Sequence, residues 1–113
     1  MVLRLKRIYE AYSEEDGYRV LVERLWPRGV KKEKAHVDLW MKEIAPSTEL
    51  RKWFNHEDEK WDEFQKLYME EISRTQQFMA LKSIISNHNN VTLLFSSKNE
   101  QQNNAVALYN ILR

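Results

Sequence analysis

The chain has no cysteine, and only two glycines and two prolines in 113 residues. Without cysteine there can be no disulfide, no thiolate nucleophile and no Cys-ligated zinc, and the composition fits a reducing compartment. Gly17 and Gly29 cannot between them compose a P-loop, a dinucleotide-binding fingerprint or a Gly-x-Ser-x-Gly elbow. An excess of charge of one sign is missing too: 18 basic residues face 17 acidic ones, for a net charge of +1. A general nucleic-acid binder shows a clear basic excess, so nucleic acid is not the expected partner. No apolar run approaches membrane-spanning length. The opening Met1-Val-Leu-Arg-Leu-Lys alternates charge with apolar residues and lacks the core of a signal peptide. A soluble cytoplasmic protein with no membrane partner is expected. The three histidines have no i, i+4 spacing or neighbouring ligand of metalloenzyme type, so no metal site and no cofactor are expected.

What is present is enough for one domain with a single real core. Scarce Gly and Pro with 31% charged residues suggest a compact, helix-rich domain rather than a β-sandwich. The stretch the chain is organised around is Tyr18-Arg-Val-Leu-Val-Glu-Arg-Leu-Trp-Pro-Arg-Gly-Val30. Its β-branched and apolar run predicts a strand from Tyr18 to Leu25, covered on both faces. Pro27 ends it, because proline gives no N–H to a ladder. Before it, Val2 to Tyr9 alternates with period two and predicts a half-exposed strand toward an edge. The acidic connection Glu10 to Gly17 fits either a hairpin loop or a short crossover. It is shorter than a parallel crossover normally needs, so the direction of the first strand stays open.

The middle reads as helical. Val37, Leu39, Trp40, Met41 and Ile44 predict a helix from Ala35 to Ala45, stopped by Pro46. Asp38 and Glu43 fall on its solvated face. Ser47 caps a short helix through Phe54. Trp61, Phe64, Leu67, Tyr68 and Ile72 form the apolar stripe of the next. Gln76 to Ser86 makes another, ended by a left-handed cap among Asn87-His88-Asn89-Asn90. Val91 to Phe95 is a short central strand, and a last helix runs from Glu100 or Gln101 to Leu112. The sum is an α/β fold: a small, mostly parallel sheet of three or four strands with helices packed on its faces, as one domain over residues 1–113.

If the strands ending near Leu25 and Phe95 are parallel neighbours, their carboxyl ends lie side by side, where open α/β sheets hold ligands. One brings Arg24, Trp26 and Arg28. The other brings Ser96, Ser97 and Lys98, with Asn103 in the opening turn of the final helix. Cations and helix-terminal amides together suit a small anionic, phosphate-like ligand. The plainer roles are surface ion pairs for the arginines, capping for Ser97 and Asn99, a solvated Lys98 and a core position for Trp26. His56, at a helix junction, is the candidate general acid or base; a capping or surface histidine is its plainer role.

The blocks Tyr18 to Val30, Trp53-Phe-Asn-His-Glu-Asp-Glu-Lys-Trp61, Val91-Thr-Leu-Leu-Phe-Ser-Ser-Lys98 and Asn103-Asn-Ala105 resemble the YeaO-like family of small bacterial proteins, a domain-of-unknown-function family. The resemblance covers nearly the whole chain and implies a compact bacterial α/β domain. It implies no activity. Where the family usually reads Asp, this chain has Glu23. Where it reads Ala-Ala-Lys-Asp, this chain has Ser96-Ser97-Lys98-Asn99, and Gln102 replaces a common His. Those departures remove two ionisable groups and weaken any acid–base mechanism. Two functional readings follow. One is a protein or enzyme for a small anionic ligand. The other is a non-catalytic module, binding protein through Trp40, Trp53 and Trp61 or nucleic acid through Arg28, Lys31, Lys32 and Lys34.

Overall fold

Four strands run parallel in one sheet, in the order β1-β4-β2-β3. The structure is a computed structural model and describes residues 2–113. The strands are β1 (Val2–Arg7), β2 (Tyr18–Leu21), β3 (Leu39–Trp40) and β4 (Asn90–Phe95). The helices are α1 (Lys32–Ala35), α2 (Thr48–Phe54), α3 (Trp61–Ile72), α4 (Gln76–Asn87) and α5 (Asn104–Leu112), with short 3-10 turns at Glu14–Asp16, Lys42–Ile44 and Asp58–Lys60. None of the described helices is long and apolar enough to cross a membrane.

Strand alternation sorts the core into two sides. Val20, Val22, Val91, Leu93 and Phe95 face the cluster built by α2 to α5, which includes Leu50, Phe54, Phe64, Tyr68, Leu81 and Leu108. Leu21 and Leu94 face the other way, with Ile8, Ala35, Trp26 and Trp40. Thus four helices cover one face, and α1 with irregular chain covers the other. The first strand, whose direction the letters left open, is parallel and pairs with β4 rather than β2: Leu3 lies opposite Val91 and Leu5 opposite Leu93. The connection over residues 8–17 therefore crosses β4 with no more regular structure than one 3-10 turn.

Two sequence expectations fail, and tertiary contacts explain both. The strand expected to reach Leu25 ends at Leu21. Val22 still donates to the Leu94 carbonyl (3.2 Å). The next polar partner of β4's end is then a side chain, since the Ser96 amide donates to the Glu23 carboxylate (3.0 Å). Leu25 is left 75% exposed. The helix expected over Ala35 to Ala45 does not form. Instead α1 ends at His36, whose φ is +51°, and the chain then docks on β2. The Asp38 amide donates to the Arg19 carbonyl (2.9 Å), and the Asp38 carboxylate accepts from the Arg19 amide (2.8 Å). Leu39 and Trp40 pair with Val20 and Leu21. An edge of a parallel sheet outweighs a helical pattern here, because local propensity is worth only tenths of a kcal/mol per residue. Smaller differences lie at helix ends. His88 closes α4 in extended backbone rather than a left-handed cap, and α5 starts at Asn104, behind an Asn103 cap.

On the face of the sheet under α1, a buried ionic group ties β1 to the start of β2. Arg19 is 2% exposed and Asp16 5%. The Asp16 carboxylate accepts from the Arg19 guanidinium, from Lys6 Nζ (3.0 Å) and from the Ser13 amide (3.2 Å). The other Arg19 nitrogen reaches the Ala35 carbonyl (3.1 Å), and the Thr92 hydroxyl donates to the Asp16 carbonyl (2.7 Å). Burial alone would raise the Asp16 pKa, but Lys6, the Ser13 amide and Arg19 outweigh it and hold the carboxyl below its usual value of 3.8. Gly17 follows, with φ +67°, and a Cβ there would meet the Asn90 carbonyl oxygen at 2.2 Å.

Asp16→Asn should lower the unfolding free energy at pH 7 by about 3 kcal/mol, since it leaves a buried guanidinium uncompensated. In urea titrations the deficit should persist at neutral pH and shrink as the pH falls below 3.8, through the depressed carboxyl pKa, where the parent loses the same charge. Gly17→Ala should be more damaging than Gly29→Ala. Gly29, at φ +79°, has open space around its Cβ position, so its penalty is only the left-handed one of about 1–2 kcal/mol.

Candidate functional site

The carboxyl ends of β1, β4 and β2 lie on one rim, and the chain beyond them is tied down by side chains from neighbouring strands. Arg7, the last residue of β1, donates from Nε to the Ser97 carbonyl (2.9 Å) and from a terminal nitrogen to the Ser96 carbonyl (3.1 Å). The loop after β4 is a series of short polar caps. The Ser97 hydroxyl accepts from the Asn99 amide, and Asn99 Oδ1 accepts from the amides of Gln101 and Gln102. Asn103 Oδ1 then accepts from the Val106 amide (2.9 Å), while its Nδ2 donates to the Asn99 carbonyl (2.8 Å). Asn104 Nδ2 reaches back to the Val22 carbonyl (2.8 Å), locking the start of α5 to the end of β2.

Between this loop and the α2–α3 junction lies a pocket of about 560 Å³. Its loop side is Ser96, Ser97, Gln102, Asn103 and Asn104, and Glu23 lines it where β2 and β4 diverge. Its helical side is Thr48, Arg51, Lys52, Phe54, Asn55 and His56, with Phe64 and Pro46 completing the wall. The junction is held in an uncommon backbone: Asn55 and His56 are consecutive left-handed residues, with φ +47° and +56°. That conformation is costly for residues with a Cβ and recurs where side chains are aimed at a ligand. It follows from α2 ending in a left-handed cap at Asn55. Glu23 is the group most altered by its surroundings among those lining the pocket. Burial raises its pKa above the usual 4.5, against the Ser96 amide and hydroxyl and the Arg51 charge, which favour the ionised form.

The residues expected from sequence divide cleanly. Ser96, Ser97, Asn103 and His56 line the pocket. The Asn103 side chain is committed to capping, so its contribution is structural support. Arg24, Trp26, Arg28 and Lys98 do not line it. Arg24 turns to the carbonyls of Ala45 (3.1 Å) and Pro46 (3.4 Å). Trp26 donates to the Val30 carbonyl (2.7 Å) and packs edge-on against Trp40 with centroids 5.4 Å apart. Arg28 and Lys98 are exposed, and the Arg28 carbonyl accepts from the Tyr9 hydroxyl (2.8 Å). The reason is the early end of β2: once Val22 leaves the ladder, period-two alternation no longer aims residues 24, 26 and 28. The cations that do line the pocket, Arg51 and Lys52, sit one helical turn before the Asn55 cap. The letters gave their only signal in the Trp53-to-Trp61 block that follows. Glu23 was visible as a departure from the family pattern. Of the tryptophans proposed as protein-binding anchors, Trp40 and Trp61 are half-buried. Trp53 is 39% exposed, with Lys60 Nζ 5.0 Å from its ring centroid. Among the described residues no group of three His, Asp or Glu side chains is placed to hold a metal ion.

Comparison with known proteins identifies the class. Residues 2–113 match the family described as the inactive DUF488-N3 subclade. The chain belongs to that family, a domain-of-unknown-function group. It is 43% identical over 113 residues to the protein named "Uncharacterized protein YeaO" of Escherichia coli (strain K12), covering 100% of this chain and 98% of that one. It is 36% identical over 110 residues to "Uncharacterized protein Rv3073c" of Mycobacterium tuberculosis and to "Uncharacterized protein Mb3100c" of Mycobacterium bovis, covering 97% of this chain and 92% of each. No solved structure matches the chain.

Glu23→Gln should stabilise the protein at pH 7, because it removes the penalty of a buried charge while keeping an acceptor for the Ser96 amide. The folded pKa of Glu23 is raised, so the native carboxyl binds its proton more tightly than the unfolded one. The parent therefore loses stability as pH rises from about 4.5 through the raised value. Thermal melts across pH should show the two proteins converging below pH 4.5 and the variant melting higher at neutral pH.

Proposed function

We propose that the protein is a cytoplasmic binding protein for a small anionic, phosphate-like ligand, held in the pocket at the carboxyl ends of β2 and β4. The observation that carries this is the gathering of Arg51, Lys52 and the Ser97 hydroxyl around one cavity. Guanidinium and ammonium groups with hydroxyl donors are the standard chemistry for a phosphate, and the location is the one open α/β sheets favour. Two basic side chains outnumber the one carboxylate in the lining, and protonation of Glu23 would increase the imbalance. His56 belongs to the ligand shell in this reading, as a hydrogen-bonding group at the mouth. The family's description as inactive supports binding over catalysis, as do Asn99 and Gln102, which stand where the family pattern has ionisable residues. The lack of cysteine fits the reducing cytoplasm.

Calorimetric titration with inorganic phosphate and with sugar phosphates should detect binding that weakens as salt rises. Arg51→Ala combined with Lys52→Ala should weaken it at least tenfold, since a charge-assisted hydrogen bond is worth about 1.5–3 kcal/mol. Arg28→Ala should leave it unchanged. Equal losses from Arg28→Ala, or none from the double variant, would overturn the assignment of the clamp.

A further inference from the structure

Two features of the pocket have no role in holding a bare anion. Its floor is aromatic: Phe54 and Phe64, buried in the core, stack with centroids 4.6 Å apart, and the exposed His56 ring stands over their edge of the pocket. The His56 ring stands 6.3 Å from Phe54, tilted by 52°. Its other unexplained feature is a carboxylate, which repels an anion. The Ser96 amide and hydroxyl use part of Glu23's acceptor capacity, but a carboxylate has about four acceptor sites. Room therefore remains for a donor brought by a ligand. At about 560 Å³ the cavity also falls within the roughly 300–1,000 Å³ range that holds drug-sized ligands, well beyond a lone phosphate.

A ligand that answers these two features together with the cationic clamp carries an anionic group, a flat ring and an N–H donor on that ring. We propose that the pocket takes a nucleoside monophosphate, its phosphate on Arg51 and Lys52, its base against the exposed His56 ring, and an N–H of the base donated to Glu23. This rests on the anion-binding reading and specifies the remainder of the ligand. Base stacking on aromatic side chains tolerates any base, so Glu23 is the residue that sets preference. It selects bases that present an N–H, and it turns away ligands whose facing edge is acceptor only, because two acceptors would then oppose each other.

The test is calorimetric titration of the full chain with AMP, GMP, CMP and UMP, beside ribose 5-phosphate, inorganic phosphate and the matching nucleosides. At least one nucleotide should bind tenfold or more tightly than ribose 5-phosphate. Glu23→Gln, nearly isosteric, should reduce that advantage several-fold, while ribose 5-phosphate itself binds no more weakly, since the carboxylate's repulsion of the anion is gone. Saturation-transfer NMR should show the base protons, rather than the ribose protons, receiving most from the protein. If ribose 5-phosphate binds as tightly as every nucleotide, the base has no site and this inference fails while the anion pocket stands. If nucleosides bind as tightly as nucleotides, the phosphate clamp fails and the base site stands alone. If none of the probes binds, both fall.

Discussion

Everything in this fold depends on β4 being bonded on both sides. Its residues Val91 to Phe95 are buried, and it runs parallel to β1 on one flank and β2 on the other. Because every strand points the same way, every carboxyl end is delivered to one rim, and the loops that leave those ends share one solvent face. Arg7 ends β1, and Glu23 and Ser96 follow the ends of β2 and β4, yet the three form a continuous chain of hydrogen bonds. That convergence is a property of parallel pairing, and an antiparallel β1 would have removed Arg7 from it. The face under α1 and the amino end of β2 are fixed by different chemistry. There the Lys6–Asp16–Arg19 group sits under the sheet, and Gly17 lets the chain pass against Asn90.

The legible parts of the sequence were those where one-dimensional pattern and three-dimensional burial agree. Val91 to Phe95 is apolar without interruption and is a central strand. Trp61 to Ile72 carries a stripe at helical spacing and is a helix with Phe64, Tyr68 and Ile72 buried. Ser47 accepts from the Leu50 amide as an N-cap should. The adjacency of β2 and β4 was also available, from the long helical link between them. Residues 35–45 have an apolar spacing that suits a helix, while their fate is set by Asp38 finding both amide and carbonyl of Arg19, a contact no local pattern contains. Asn99 and Asn103 delayed α5 for a related reason: short polar side chains capture backbone amides before a helix can.

The candidate site shows the same division. Ser96, Ser97 and His56 were found because loop ends after strands and helix junctions are recognisable. Arg24, Trp26 and Arg28 were drawn in by extending β2 beyond the point where its ladder ends. Their actual positions show what happens to a polar or amphipathic side chain once the ladder is gone: it takes the nearest carbonyl, at Ala45 and Pro46 for Arg24 and at Val30 for Trp26. Arg51 and Lys52 escaped notice because two basic residues in a short helix read as solvated surface. They line a cavity only because the left-handed pair Asn55–His56 reverses the chain at that point.

The strand order has a consequence for how the molecule comes into being. β1 and β2 are made before four helices and before their shared partner, β4. At ribosomal speeds the interval between Val2 and Asn90 is on the order of 10 s. For that time β1 has no partner strand and β2 has only the two residues of β3. The basic residues interleaved through β1, at Arg4, Lys6 and Arg7, give the nascent segment charge that discourages premature pairing with other chains.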